Sequence, residues 1–125
     1  MKAEELMQFD WVKLADDNTP KQVDWIRSGE VGLFWNRTVT PPYLEPIPLT
    51  AEILEKNGFK LHAISEIYEL VSPKKDWFVA IGFKDGCIDW CKVHRWGDEY
   101  LGSIKYVHEL QHALRLFKVN KEIEL

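Results

Sequence analysis

Two histidines four residues apart, His108 and His112, enclose Glu109 within the run Ile104 to Lys118, IKYVHELQHALRLFK. The spelling His108-Glu109-Leu110-Gln111-His112 fits HExxH, the signature of zinc hydrolases. On a helix, residues four apart share a face, so both imidazoles can reach one zinc. The glutamate then serves as general base on the zinc-bound water. In that reading the chain is a small zinc-dependent hydrolase, with His108 and His112 as ligands and Glu109 as base.

The rest of the run argues against it. The longer pattern HExxHxxGxxH fails, with Arg115 and Lys118 where Gly and His are required. A downstream carboxylate ligand would have to be Glu122 or Glu124, and no second helix follows to present either. His62 and His94 are the other candidates, neither tied to the motif by spacing. Helical periodicity gathers Tyr106, Val107, Leu110, Ala113, Leu114 and Phe117 into one apolar arc. Lys105, His108, His112 and Arg115 then fall on the other side, as a solvated basic face. The favoured reading is therefore a non-enzymatic protein that binds another macromolecule through those four residues. No catalytic residue, metal or other cofactor is expected in it.

Other groups with chemical potential carry less. Cys87 and Cys91 would lie about 13 Å apart on a strand, too far for a disulfide. Strand parity puts His94 on the face opposite both, so the expectation is a pair of buried structural thiols. Asp16-Asp17 has no second set of oxygen ligands at calcium-loop spacing and reads as a solvated turn. Asn36-Arg37-Thr38 spells a glycosylation acceptor, which has no meaning in a cytosolic chain.

Composition supports that compartment. A chain of 125 residues, 46% hydrophobic, is sized for one domain with its own core. Six Trp, six Phe and four Tyr predict packing dominated by large rings. The net charge of −4 and the absence of a Lys/Arg run disfavour a nucleic-acid backbone as partner, so a protein is expected instead. No apolar run is long enough for a membrane span, and the opening residues are not those of a secretion signal. The chain reads as cytoplasmic.

Several elements must position these residues. Met7 to Leu14 predicts a half-buried strand with Met7, Phe9 and Trp11 inward, and Ala15 to Pro20 a turn. Gln22 to Arg27 and Glu30 to Trp35, joined by Ser28-Gly29, predict a hairpin in a small curled sheet or partial barrel. Trp11, Trp25 and Trp35 stand at inward positions there. Pro41 to Pro48 is a stiff connector. It leads to a short helix with Thr50 as N-cap, Leu49 and Leu54 as a hydrophobic staple, and Gly58 as left-handed cap. Ala63–Val71, Trp77–Phe83 and Cys87–His94 read as a meander, with Lys84-Asp85-Gly86 as one turn. Arg95 to Ser103 reads as a loop, and Val119 to Leu125 as a short edge strand. The expectation is one α+β domain, residues 1–125. A small antiparallel β lobe (1–46) precedes a short central helix, an antiparallel meander and one long covering C-terminal helix (47–125). Val107, Leu110, Leu114 and Phe117 are expected to pack on the strand of Trp77, Val79, Ile81 and Phe83.

Two stretches, EPIPLTAEILEKNGF (Glu45 to Phe59) and YVHELQHAL (Tyr106 to Leu114), resemble a family of small uncharacterised proteins. That family is carried by phages and mobile elements of gut bacteria, and the resemblance spans nearly the whole chain. In it, Gln commonly stands at the position of Glu109 and Asn often at that of His112. The resemblance therefore implies neither a base nor a second ligand. It does suggest one further reading, a nucleic-acid-associated accessory protein of a mobile element that engages bases through exposed Trp.

Overall fold

The computed structural model describes residues 5–27, 30–34, 38–39, 44–62 and 65–125. Ser28-Gly29, Trp35 to Arg37, Pro41 to Tyr43 and Ala63, all used above, lie outside them. Among the described residues, two antiparallel five-stranded sheets and two helices make the architecture α+β. The chain divides into two compact units, Met1–Pro48 with Tyr106–His108, and Leu49–Lys105 with Glu109–Leu125.

The first unit holds β1 (Trp11–Leu14), β2 (Asp17–Arg27), β3 (Glu30–Leu33), β4 (Thr38–Val39) and β5 (Leu44–Pro46), in the order β4-β3-β2-β1-β5. The first part of β2 pairs β1 (Trp11↔Gln22, Leu14↔Asp17), and its second part pairs β3 (Val23↔Leu33, Arg27↔Glu30). Register shifts in both pairings supply the extra bend and twist that let one long strand serve both halves. The turn expected over Ala15 to Pro20 is only Ala15-Asp16, and the rest of that stretch is strand.

The inward parity of the first strand is the reverse of that expected. Val12 and Leu14 are buried, whereas Met7 and Phe9 are exposed. Phe9 has φ 71°, a left-handed kink that breaks the alternation before β1 begins. The core is aliphatic: Leu6, Val12, Leu14, Val23, Val31, Leu33 and Leu44 form one cluster. Trp11 and Trp25 are only half-buried. The ring of Trp25 lies across its strand partner Gly32, where a Cβ would overlap the indole. In this unit Trp11 and Trp25 thus lie at the margin of an aliphatic core rather than within it.

The second unit opens with α1 (Ala51–Lys56). Its N-cap is Thr50, whose hydroxyl accepts the Ile53 N–H at 3.3 Å. At the other end Gly58 (φ 89°) donates to Glu55 C=O, and Phe59 N–H donates to Leu54 C=O, a Schellman closure that buries Phe59 beside Leu54. The strands β6 (Lys60–Leu61), β7 (Ile67–Val71), β8 (Trp77–Lys84), β9 (Cys87–Arg95) and β10 (Asp98–Gly102) follow as a meander in the order β10-β9-β8-β7-β6. The expected Arg95–Ser103 loop is therefore largely a strand. Its signal was the turn Trp96-Gly97, both left-handed (φ 49° and 83°), which suits a two-residue hairpin.

The inner face of this sheet carries Tyr68, Val79, Ile81, Cys91, Val93 and Tyr100, register partners across the strands. Glu55 of α1 accepts a hydrogen bond from Tyr68 Oη at 3.2 Å. The second helix, α2, runs Val107–Leu116, shorter than the periodic run in the sequence. Leu110 and Leu114 are buried as expected, while the ring contact made by Phe117 is with Tyr100 of β10. Arg95 of β9 donates to the carbonyls of Phe117 and Lys118, a cation placed at the negative end of the helix. The tail Val119–Leu125 is not a strand.

Helix α2 closes as α1 does, with Lys118 N–H donating to Arg115 C=O and Val119 N–H to Leu114 C=O. Here the left-handed position holds Lys118 (φ 54°) instead of glycine. Lys118→Gly should relieve this strain and raise stability by about 0.5–1 kcal/mol, measured as a higher thermal midpoint.

Candidate functional site

The HELQH face is not the solvated basic face that its spacing predicts. His108 is 5% exposed, and its ring stacks on Tyr106 at 6.0 Å between centroids. Gln111 is buried too, so the buried arc of α2 extends past the apolar residues to include His108. His112 and Arg115 are half-buried. Lys105 is exposed, but it precedes the helix. The four residues do not form one accessible surface, because sequence periodicity marks apolar residues and not the polar ones a core also takes in.

Glu109 has a structural task. Its carboxylate accepts the Lys105 N–H at 2.9 Å, satisfying a backbone donor just ahead of the helix start. Among the described residues, no three His, Cys, Asp or Glu side chains gather into a metal-holding group. The thiols also differ from expectation, since Cys87 is exposed and Cys91 buried. Burial pushes the Cys91 thiol up to about 12, so it is no thiolate at neutral pH. The exposure of Cys87 follows from its place beside the Asp85-Gly86 turn, paired with Lys84.

The two stretches behind the family resemblance meet in the backbone. Within the first unit Pro48 bridges Tyr106, and Val107 N–H donates to Ile47 C=O at 2.9 Å. Within the second, Leu49 N–H donates to Lys105 C=O at 2.9 Å. Asn57, Gly58 and Phe59 of the first stretch form the C-terminal closure of α1. These motif residues hold the fold.

The site that sequence reasoning missed is the β9–β10 hairpin tip. Trp96 is 74% exposed there, and the Arg95 guanidinium lies over its ring at 4.4 Å. Leu116, at the end of α2, is 69% exposed. Arg95, Trp96, Asp98, Glu99, Leu116 and Lys118 share the walls of one groove of about 580 Å³ with Phe117. The signal in the sequence is Trp-Gly at a hairpin position, which a loop over Arg95 to Ser103 conceals. Around the corner, the outer face of the sheet carries Phe78 stacked on His94 (5.0 Å), with Lys92 above Phe78 (5.7 Å). Trp90 lies there across its partner Gly82, repeating the Trp25–Gly32 arrangement.

Among the described residues, no helix is long and apolar enough to cross a membrane. No family model, curated protein or solved structure matches the chain.

Proposed function

We propose that this chain is a non-enzymatic binding protein whose partner is another protein, docked at the β9–β10 hairpin tip. One observation carries the reading: Trp96 is held in a left-handed turn conformation and left 74% exposed. A bulky side chain at positive φ is strained, and strain of this kind collects at binding sites. Trp and Arg are also the residue types that dominate interface energetics, and here Arg95 braces Trp96 from beneath. Leu116 and the groove beside it supply the apolar surround. With the resemblance to proteins of phages and mobile elements, the role becomes that of a cytoplasmic accessory protein of such an element.

A pull-down from a gut-bacterial lysate tests this with two variants. Trp96→Ser combined with Leu116→Ser should lose the partners retained by the unaltered protein. Lys105→Ala, His112→Ala and Arg115→Ala together should keep them. The reverse pattern moves the site to the helix, and no specific partner for any form overturns the reading.

A nucleic-acid role is the second reading, favoured by the Phe78, His94 and Trp90 rings on the outer sheet face. It predicts DNA binding that weakens steeply with salt. Glu69 and Glu99 stand on that same face, opposite Ala80 and His94, and weigh against it.

A further inference from the structure

We propose that β10 is a strand-addition site for an extended basic peptide, which deepens the protein-binding reading and rests on it. The argument begins with register. The two-residue turn Trp96-Gly97 makes Arg95 and Asp98 the hydrogen-bonded pair that closes the hairpin. Alternation then makes Tyr100↔Val93 and Gly102↔Cys91 hydrogen-bonded, and Glu99↔His94 and Leu101↔Lys92 not. The N–H and C=O groups of Glu99 and Leu101 therefore point away from the sheet. β10 is the terminal strand, and among the described residues no backbone hydrogen bond reaches these groups from elsewhere.

Such an edge is normally blunted by charged side chains, above all Lys, by Pro, by a bulge or by brevity. The opposite edge of this sheet follows the rule, since β6 has two residues and one is Lys60. β10 has no Lys, Pro or bulge: its register runs unbroken over five residues, and the charges it carries, Asp98 and Glu99, are both acidic. It also presents Leu101 67% exposed.

Charge decides the occupant. The acidic side chains of β10 are Asp98 and Glu99, both exposed, and the strand has no Lys or Arg. A second copy pairing edge to edge would bring the carboxylates of both copies into one seam. A strand bearing Lys or Arg compensates them. Its side chains would also meet the outer-face groove of about 520 Å³ lined by Asp89, Trp90, Lys92, Glu99, Leu101 and Gly102. There Lys92 is already paired with Glu99 at 3.4 Å, while Asp89 and the Trp90 ring suit an incoming cation. Peptides recognised in this way draw affinity from the main chain and specificity from alternate side chains. Glu99 and Leu101 share the outer face, so the fit is to basic residues on that face, their charged heads at Glu99 and Asp89 and their methylene stems along Leu101, with apolar residues on the other face.

The probes are fluorescein-labelled ten-residue peptides of alternating Lys-Val and alternating Glu-Val, followed by anisotropy with the full chain. The Lys-Val peptide should bind, slow amide exchange at Glu99 and Leu101, and leave exchange in β6 unchanged. The Glu-Val peptide should not bind. Leu101→Pro removes an outward N–H without touching the β9 ladder and should weaken binding at least about fivefold. Glu99→Lys, which keeps the backbone intact, should weaken it as much. Equal binding of both peptides, binding indifferent to both variants, or no slowed exchange overturns the proposal. So does a concentration-dependent dimer lost in Leu101→Pro, which assigns the edge to a second copy. Failure of this kind leaves the hairpin-tip reading to the Trp96 pull-down, where the peptide probes play no part.

Discussion

Leu110→Ala is expected to lower stability by about 2–5 kcal/mol, a large share of the 5–15 kcal/mol typical of a domain. Leu110 is completely buried at the middle of α2, so truncation removes its transfer energy and leaves a cavity. His112→Ala, at a half-buried position on the same helix, should cost much less. Glu109→Gln should also be mild. The amide oxygen can still accept the Lys105 N–H, and losing the charge at the helix start costs about 0.3–1 kcal/mol. A zinc-held core predicts another order, because the ligand would hold the metal and the metal the fold. In that case His112→Ala and a chelator would each lower the midpoint as far as Leu110→Ala. Thermal melts of the three variants, with and without chelator, separate the accounts. The packing account fails if chelator and His112→Ala match Leu110→Ala.

Elements whose local signals agreed were legible in the sequence. Around α1 the cap residue Thr50, the buried Leu49 and Leu54, and the left-handed Gly58 all pointed to one helix, and all serve it. Trp77 to Lys84 alternates cleanly and is β8. Legibility failed where one residue reset the pattern. The kink at Phe9 inverted the parity read for β1, and an unrecognised turn at Trp96-Gly97 hid β10. The HELQH face failed for a different reason. A helical wheel ranks residues by hydropathy, yet a stacked histidine and a buried glutamine extend the buried arc of α2 beyond its apolar residues. The candidate site was illegible on the same ground, since an exposed tryptophan in sequence looks like core until its strand is placed. Trp25 and Trp90 show the middle case: each covers a glycine on the neighbouring strand and is half-buried.

Asn57→Ala should be the most damaging polar substitution, at roughly 2–4 kcal/mol. Asn57 is buried at the C-cap of α1, and its side chain makes three hydrogen bonds. Its Nδ2 donates to Ile53 C=O and to Glu124 C=O, both at 2.8 Å, and its Oδ1 accepts the Glu124 N–H at 2.7 Å. Ile53 C=O keeps a second donor, the Asn57 backbone N–H at 3.1 Å. Both groups of Glu124 lose this amide partner, next to the buried Ile123. The side-chain amide thus pins the tail Val119–Leu125 much as a strand partner would, across 67 positions of sequence. Asn57→Asp separates the two halves of the contact. It retains the acceptor for Glu124 N–H, loses the donors and adds a negative charge at the unfavourable end of the helix. Its cost should approach that of alanine. Both variants should speed amide exchange over Ile123 to Leu125 more than over β8, and both should lower the thermal midpoint. Unchanged tail exchange in Asn57→Ala would mean that Val119 and Ile123 hold the tail by burial alone, and the pinning role assigned to Asn57 would be wrong.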